Sequence, residues 1–175
     1  MKSIAYTTIA LASVGGVAMT NPARAEDMQV SGTIIGTQVE SHFIPDPGDP
    51  THGVGVERFV SVSSSDLWGS WLETDIDTFQ LDLKKGESRQ QGSIFGRNSE
   101  GTVIGSYTGK ATFTMDEKTH APQGTYEGTW EISGGTGRFA NLRGHGTTKE
   151  EFSGGQSTGH WSGTITGFEK RASTQ

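Results

Sequence analysis

From residue 28 onward the apolar and polar side chains alternate with period two, and no stretch carries the 3.6-residue spacing of an amphipathic helix. Turn-forming glycine, serine and aspartate punctuate the alternation. The pattern predicts strands over 28–44, 54–63, 70–83, 90–97, 103–115, 124–133, 143–152 and 158–168. Eight strands with hairpin-length connections suit an all-β fold, an eight-stranded antiparallel up-and-down barrel of calycin-like type, which closes its own edges. The first strand is long enough to predict a bend or bulge near Gly36.

Three stretches repeat a local pattern of Gly, x, aromatic, x, Gly: "GSYTGKATF" (105–113), "GTYEGTWEI" (124–132) and "GHWSGTITG" (159–167). Alternate residues of a strand share a face, so the glycines align with Tyr107, Phe113, Tyr126, Trp130 and Trp161. The opposite face of the middle stretch carries Thr125, Glu127, Thr129 and Glu131, which belong in water. The glycine-aromatic face is therefore expected inside. Glycine in a strand costs roughly 0.5–1 kcal/mol relative to alanine, and two reasons could offset that cost. The glycines relieve bending as a small barrel closes, or they leave room beside large rings for a flat ligand. On the second reading Tyr107, Phe113, Trp130 and Trp161 bind a ligand; on the first they fill the interior.

Residues 1–25 change the picture of compartment. Lys2 precedes an apolar run from Ile4 to Met19, and Ala23-Arg24-Ala25 has the small residues of a signal-peptidase site. An exported protein, periplasmic or extracellular, is expected, with a single barrel domain over 26–168 and a flexible tail over 169–175. Cysteine is absent from the sequence, so disulfides contribute nothing. Losing Lys2 and Arg24 takes the formal charge from −6 to −8. Charges are dispersed, which disfavours nucleic acid or an anionic membrane as partner. No apolar run approaches the roughly 20 residues that a spanning helix needs. Glycine makes up 26 of 175 residues, about twice the ordinary share, without collagen periodicity.

Candidate chemistry is sparse. Val54, Val56, Arg58, Val60 and Val62 share a face; facing inward, Arg58 could bind a carboxylate or phenolate, and facing outward it would meet solvent or a neighbouring subunit. Gln38, Glu40 and His42 share a face beside a proline-rich loop over 44–53 that would suit a lid, and Glu40 with His42 could form a general acid–base pair. A solvated strand end is the simpler account of both. Tyr126 could donate a hydrogen bond to a bound oxygen. Glu73, Asp75 and Asp77 also share a face; a hard-cation site or, more simply, a solvated acidic edge would explain them. The five histidines are scattered without metal-ligand spacing, so neither metal nor another cofactor is expected. A serine nucleophile elbow is missing as well.

The stretch "ISGGTGRFANLRGHGT" (132–147) has the glycines of a phosphate loop but neither its Gly-Lys-Ser/Thr nor a following helix. It reads as a tight turn at Gly134 and Gly135, with Phe139 packing inward and Arg138 and Arg143 bonding to carbonyls or water. With its flanks, "GTWEISGGTGRFANLRGHGT" resembles the Gly-Gly-Thr-Gly-x-Phe signature of the allene oxide cyclase and dirigent-protein barrel superfamily, which includes small exported bacterial members. "GRN" at 96–98 resembles dirigent sequences too. The resemblance implies an eight-stranded barrel with a hydrophobic cavity, a homo-oligomer (trimer or dimer), and substrates such as fatty-acid epoxides or phenylpropanoid- and lignan-like compounds. It carries over no catalytic residue. The expected function is enclosure of a hydrophobic or aromatic small molecule, with cofactor-free isomerisation, cyclisation or elimination (lyase) if catalytic. The alternatives are a non-catalytic periplasmic carrier or scavenger, and a filled barrel with a structural or inhibitory role.

Overall fold

The computed structural model describes residues 26–168; the expected leader and C-terminal tail lie outside the described residues. Eight strands carry the chain: β1 (Met28–Asp46), β2 (Asp49–Ser65), β3 (Gly69–Asp82), β4 (Glu87–Asn98), β5 (Gly101–Met115), β6 (Pro122–Gly135), β7 (Arg143–Ser153) and β8 (Gln156–Thr166). Each pairs antiparallel with its sequence neighbours, and β8 pairs with β1 to close the ring. All eight expected strands are present.

One local expectation is corrected. The proline-rich 44–53 stretch is no lid, because β1 runs to Asp46 and β2 starts at Asp49, leaving a two-residue turn. Besides a shift between Pro45 and Asp46, β1 carries the bulge expected near Gly36 two residues further on, between Gln38 and Glu40. Val39 is the extra residue there: Gln38 pairs with Phe59 and Glu40 with Arg58, so alternation slips by one. Gln38, Ser41 and Phe43 then face the lumen, whereas Glu40 and His42 are exposed.

The two ends of the ring differ. One carries the four hairpin connections β1–β2, β3–β4, β5–β6 and β7–β8. The other is closed by the β6–β7 connection, whose 3-10 turn Gly137–Phe139 drops Phe139 and Leu142 into the interior at 0% exposure each. Gly137 at φ 59° supplies the left-handed backbone that starts this turn. Phe139 stacks on Phe168 at 6.2 Å and meets Trp71 edge-on at 6.1 Å. Arg138 pairs with Glu100 at 2.6 Å and lies 4.3 Å over the Phe168 ring, while Arg143 donates to the Leu142 carbonyl at 2.7 Å. The glycine-rich loop is thus a plug, sealing one end of the ring with buried apolar area worth roughly 1.5–3 kcal/mol per large side chain.

The hydrophobic pattern is inverted over β1–β4. Val54, Val56 and Val62 of β2 are exposed, as are Ile35, Leu72, Ile76 and Phe95, and Arg58 sits in that outer row. Their inward partners on β2 and β3 are Glu57, Ser61, Ser63, Glu73, Asp75 and Asp77, all buried. On β5–β8 the outer face is mostly polar, Ile104 excepted; Lys149 of β7 pairs with Glu127 of β6 at 2.6 Å, and Lys110 of β5 with Glu87 of β4 at 2.7 Å. Among the described residues no helix is long and apolar enough to cross a membrane.

Candidate functional site

The lumen follows from the order of inward residues along β3: Trp71, Glu73, Asp75, Asp77, Phe79, Leu81. Successive inward residues stand about 6.6 Å apart along a strand, so the row sets three layers. Indoles form the floor above the plug. Trp68 stacks on Trp71 at 5.1 Å and on Trp161 at 5.7 Å, and Trp161 meets Trp130 edge-on at 6.0 Å. Carboxyl groups form a belt at mid-height. Phe43, Phe79, Leu81, Phe113 and Phe152 line the hairpin end. A cavity of about 480 Å³ lies between these layers, within the usual span of small-molecule sites.

Glycines make room for the rings. Gly146 and Gly163 lie against the Trp130 indole, and Gly109 and Gly128 against the Tyr126 hydroxyl; a Cβ at any of them would collide. Cross-strand pairing sets Tyr107 opposite Trp130 and Ala111 opposite Tyr126. The glycine-aromatic face points inward, as expected. Trp130 and Trp161 pack into the core and present an edge to the cavity, whereas Tyr107, Tyr126 and Phe113 line open space.

The belt consists of Glu57 on β2, Glu73, Asp75 and Asp77 on β3, and Glu150 on β7. Among the described residues no lysine, arginine or histidine lines the cavity. Gln38 and Gln90 donate to Glu57, the latter at 2.7 Å, Trp71 Nε1 donates to Glu73 at 2.8 Å, and the Tyr107 hydroxyl donates to Asp77. Asp75 Oδ1, Asp77 Oδ1 and the Tyr126 hydroxyl are buried without a hydrogen-bond partner among the described residues.

Burial followed by the charge of Asp77 pushes Glu57 up to about 7, against the opposing Gln38 bond. Burial pushes Glu73 up to about 7 as well, with the Trp71 bond opposing and Glu150 adding to the rise. Asp75 is raised well above the carboxylate range by burial and then by the charges of Glu73, Glu150 and Asp77. Burial also raises Asp77 and Glu150. Desolvation and like charge act together, and the belt holds protons near neutral pH.

Of the residues expected to carry chemistry, Tyr107, Phe113, Tyr126, Trp130 and Trp161 all line the cavity. Glu40, His42 and Arg58 do not. The Val39 bulge turns Glu40 and His42 outward, and the whole Arg58 row faces out; Arg58 Nε and Glu40 pair at 3.4 Å with side chains 45% and 71% exposed. The solvated acidic edge expected for Glu73, Asp75 and Asp77 is likewise corrected, since these three are 3–7% exposed inside the ring. Glu57, Glu150 and Gln90 were not expected in the site, and Gln38 was placed only on a face with Glu40 and His42. For the three acids of β3 the one signal was parity: Trp71 and Phe79 bracket them on the same face. Among the described residues no group of three or more His, Cys, Asp or Glu is arranged to hold a metal ion. No protein-family model, curated protein or solved structure matches the chain significantly.

Proposed function

We propose that this protein takes a small molecule with a hydrophobic or aromatic body into the lumen of its ring. The observation that carries this reading is the cavity of about 480 Å³, floored by indoles and walled by Phe79, Phe113, Tyr107 and Tyr126. A close-packed interior would leave no such space. Export from the cytoplasm belongs to the proposal and rests on the leader pattern of residues 1–25.

A second reading, cofactor-free catalysis of an isomerisation, cyclisation or elimination, is favoured by Glu57 and Glu73, which are pushed up to about 7. A carboxyl poised near neutrality gives and takes protons efficiently, and Tyr126 has an unpartnered hydroxyl among the residues lining the same cavity. Confinement of a flexible substrate in one reactive conformer would supply the rest of the rate. Of the two substrate classes suggested by the allene oxide cyclase and dirigent resemblance, a neutral phenylpropanoid-like aromatic suits the lumen better. A fatty-acid epoxide would bring its own carboxylate among five carboxyl groups with no basic side chain to meet it.

A homo-oligomer is also proposed, with the exposed Val56, Val62, Ile76 and Phe95 as its interface. The exposed apolar residues are concentrated on the β1–β4 side, with Ile104 of β5 beside Phe95, which suits a subunit neighbour better than a bilayer surrounding the whole ring.

Tryptophan fluorescence tests the primary reading. Titration with 2-naphthol and other neutral aromatics should give saturable quenching of the floor indoles, weakened when Phe113→Trp fills the lumen. A linear response across the panel would mean that nothing enters.

A further inference from the structure

The lumen gathers acidic groups whose buried oxygens are not all met by a donor among the described residues. Among the described residues, five carboxyl groups face it from β2, β3 and β7, the hydroxyls of Tyr107 on β5 and Tyr126 on β6 are the other titratable groups lining it, β1, β4 and β8 contribute no charged side chain, and no lysine, arginine or histidine lines it. Gln38 and Gln90 bond to Glu57, and Tyr107 to Asp77, yet Asp75 Oδ1 and Asp77 Oδ1 stay unpartnered on side chains 7% and 3% exposed. Both residues line the cavity. A buried acceptor without a donor is costly, and the missing element is a donor that also carries positive charge.

We infer that the ligand of this lumen is an organic cation, a primary or secondary amine on an aromatic or alicyclic body, whose ammonium group is held by Asp75 and Asp77 while its body lies between Phe79, Phe113 and the indole floor. This rests on the lumen being a small-molecule site at all. An ammonium brings several donors to the two unpartnered oxygens. An inorganic ion fits less well. Glu73, Asp75 and Asp77 spread over about 13 Å of one strand instead of converging on a point, and the cavity is far larger than a bare ion.

Because Glu57, Glu73 and Asp75 hold protons near neutrality, an arriving ammonium displaces them, and binding releases protons to solvent.

Calorimetric titration of the full protein at pH 7 with three probes of equal bulk tests this: 2-naphthylmethylamine, 2-naphthylmethanol and 2-naphthoate, each in two buffers of different ionisation enthalpy. The amine should bind at least about tenfold tighter than the alcohol, which corresponds to one charge-assisted contact. The naphthoate should bind weakest, and only the amine should release protons. Asp75→Asn and Asp77→Asn should each erase most of the amine's advantage and leave the alcohol's affinity in place, which also certifies that the variants fold. Equal binding of alcohol and amine, or amine binding without proton release, would overturn the cation inference and leave the lumen reading standing. Binding of no probe would remove both. Calcium chloride alone giving a heat that Asp75→Asn abolishes would assign the belt to a metal ion and overturn the organic cation.

Discussion

Raising the pH from 5 to 8 should destabilise this protein, against the common behaviour of proteins whose carboxylates are paired. Glu57 moves from an ordinary 4.5 to about 7 on folding, and Glu73 does the same. A group raised in the folded state binds its proton more tightly there than in the unfolded chain, so its contribution is fully present below about 4.5 and is lost as pH climbs through 7. At about 1.4 kcal/mol per pKa unit, Glu57 alone accounts for about 3 kcal/mol. Asp75, Asp77 and Glu150 shift in the same direction and deepen the loss. The carboxyls that move the other way, Asp49, Asp82, Asp116 and Glu127, are ordinary surface groups that titrate below this window. For a domain of this length about 3 kcal/mol lowers the melting temperature by about 10 °C. Thermal unfolding followed by tryptophan fluorescence, at fixed ionic strength and at pH 5, 6, 7 and 8, reads the effect. The double substitution Glu57→Gln and Asp75→Asn should flatten the profile and raise stability at pH 8. A melting temperature that is level or climbs between pH 5 and 8 would refute the claim that these carboxyls are buried together.

Phe139→Ala should remove the plug from the sealed end and cost about 3–5 kcal/mol in urea unfolding, as expected for a fully buried phenylalanine. Gly146→Val should place its side chain in the Trp130 indole, destabilising the fold and shifting the fluorescence maximum to the red. Arg58→Ala should leave stability within about 0.5 kcal/mol and ligand affinity unchanged, because its partnership with Glu40 is an exposed ion pair; a tenfold loss of affinity would return the outer row to the site. Ile76→Lys should convert an oligomer to monomer in light scattering, and an unaltered mass would remove the β1–β4 face as the interface.

Period-two alternation was enough to read eight strands and their order, because local side-chain parity and turn residues are properties of neighbouring residues alone. The glycine-aromatic rows were legible as interior for the same reason, and so was the burial of Phe139. Which face of β2 and β3 points inward was not legible. Val54, Val56, Val60 and Val62 look like a core row and Glu73, Asp75 and Asp77 like a solvent row, and the ring reverses both. That reversal depends on closure. Once β8 pairs with β1, the orientation of every strand follows from its neighbours' register, and the aromatic rows of β5, β6 and β8 commit the shared interior, leaving β2 and β3 to place Glu57 and the three acids beside Tyr107. A single inserted residue, Val39, then decided that Gln38 faces the lumen while Glu40 and His42 do not. The sequence by itself determined strands, turns and a plug. The carboxyl belt exists only in three dimensions, because its members come from three strands separated by up to 93 positions and gain their unusual affinity for protons from being desolvated together.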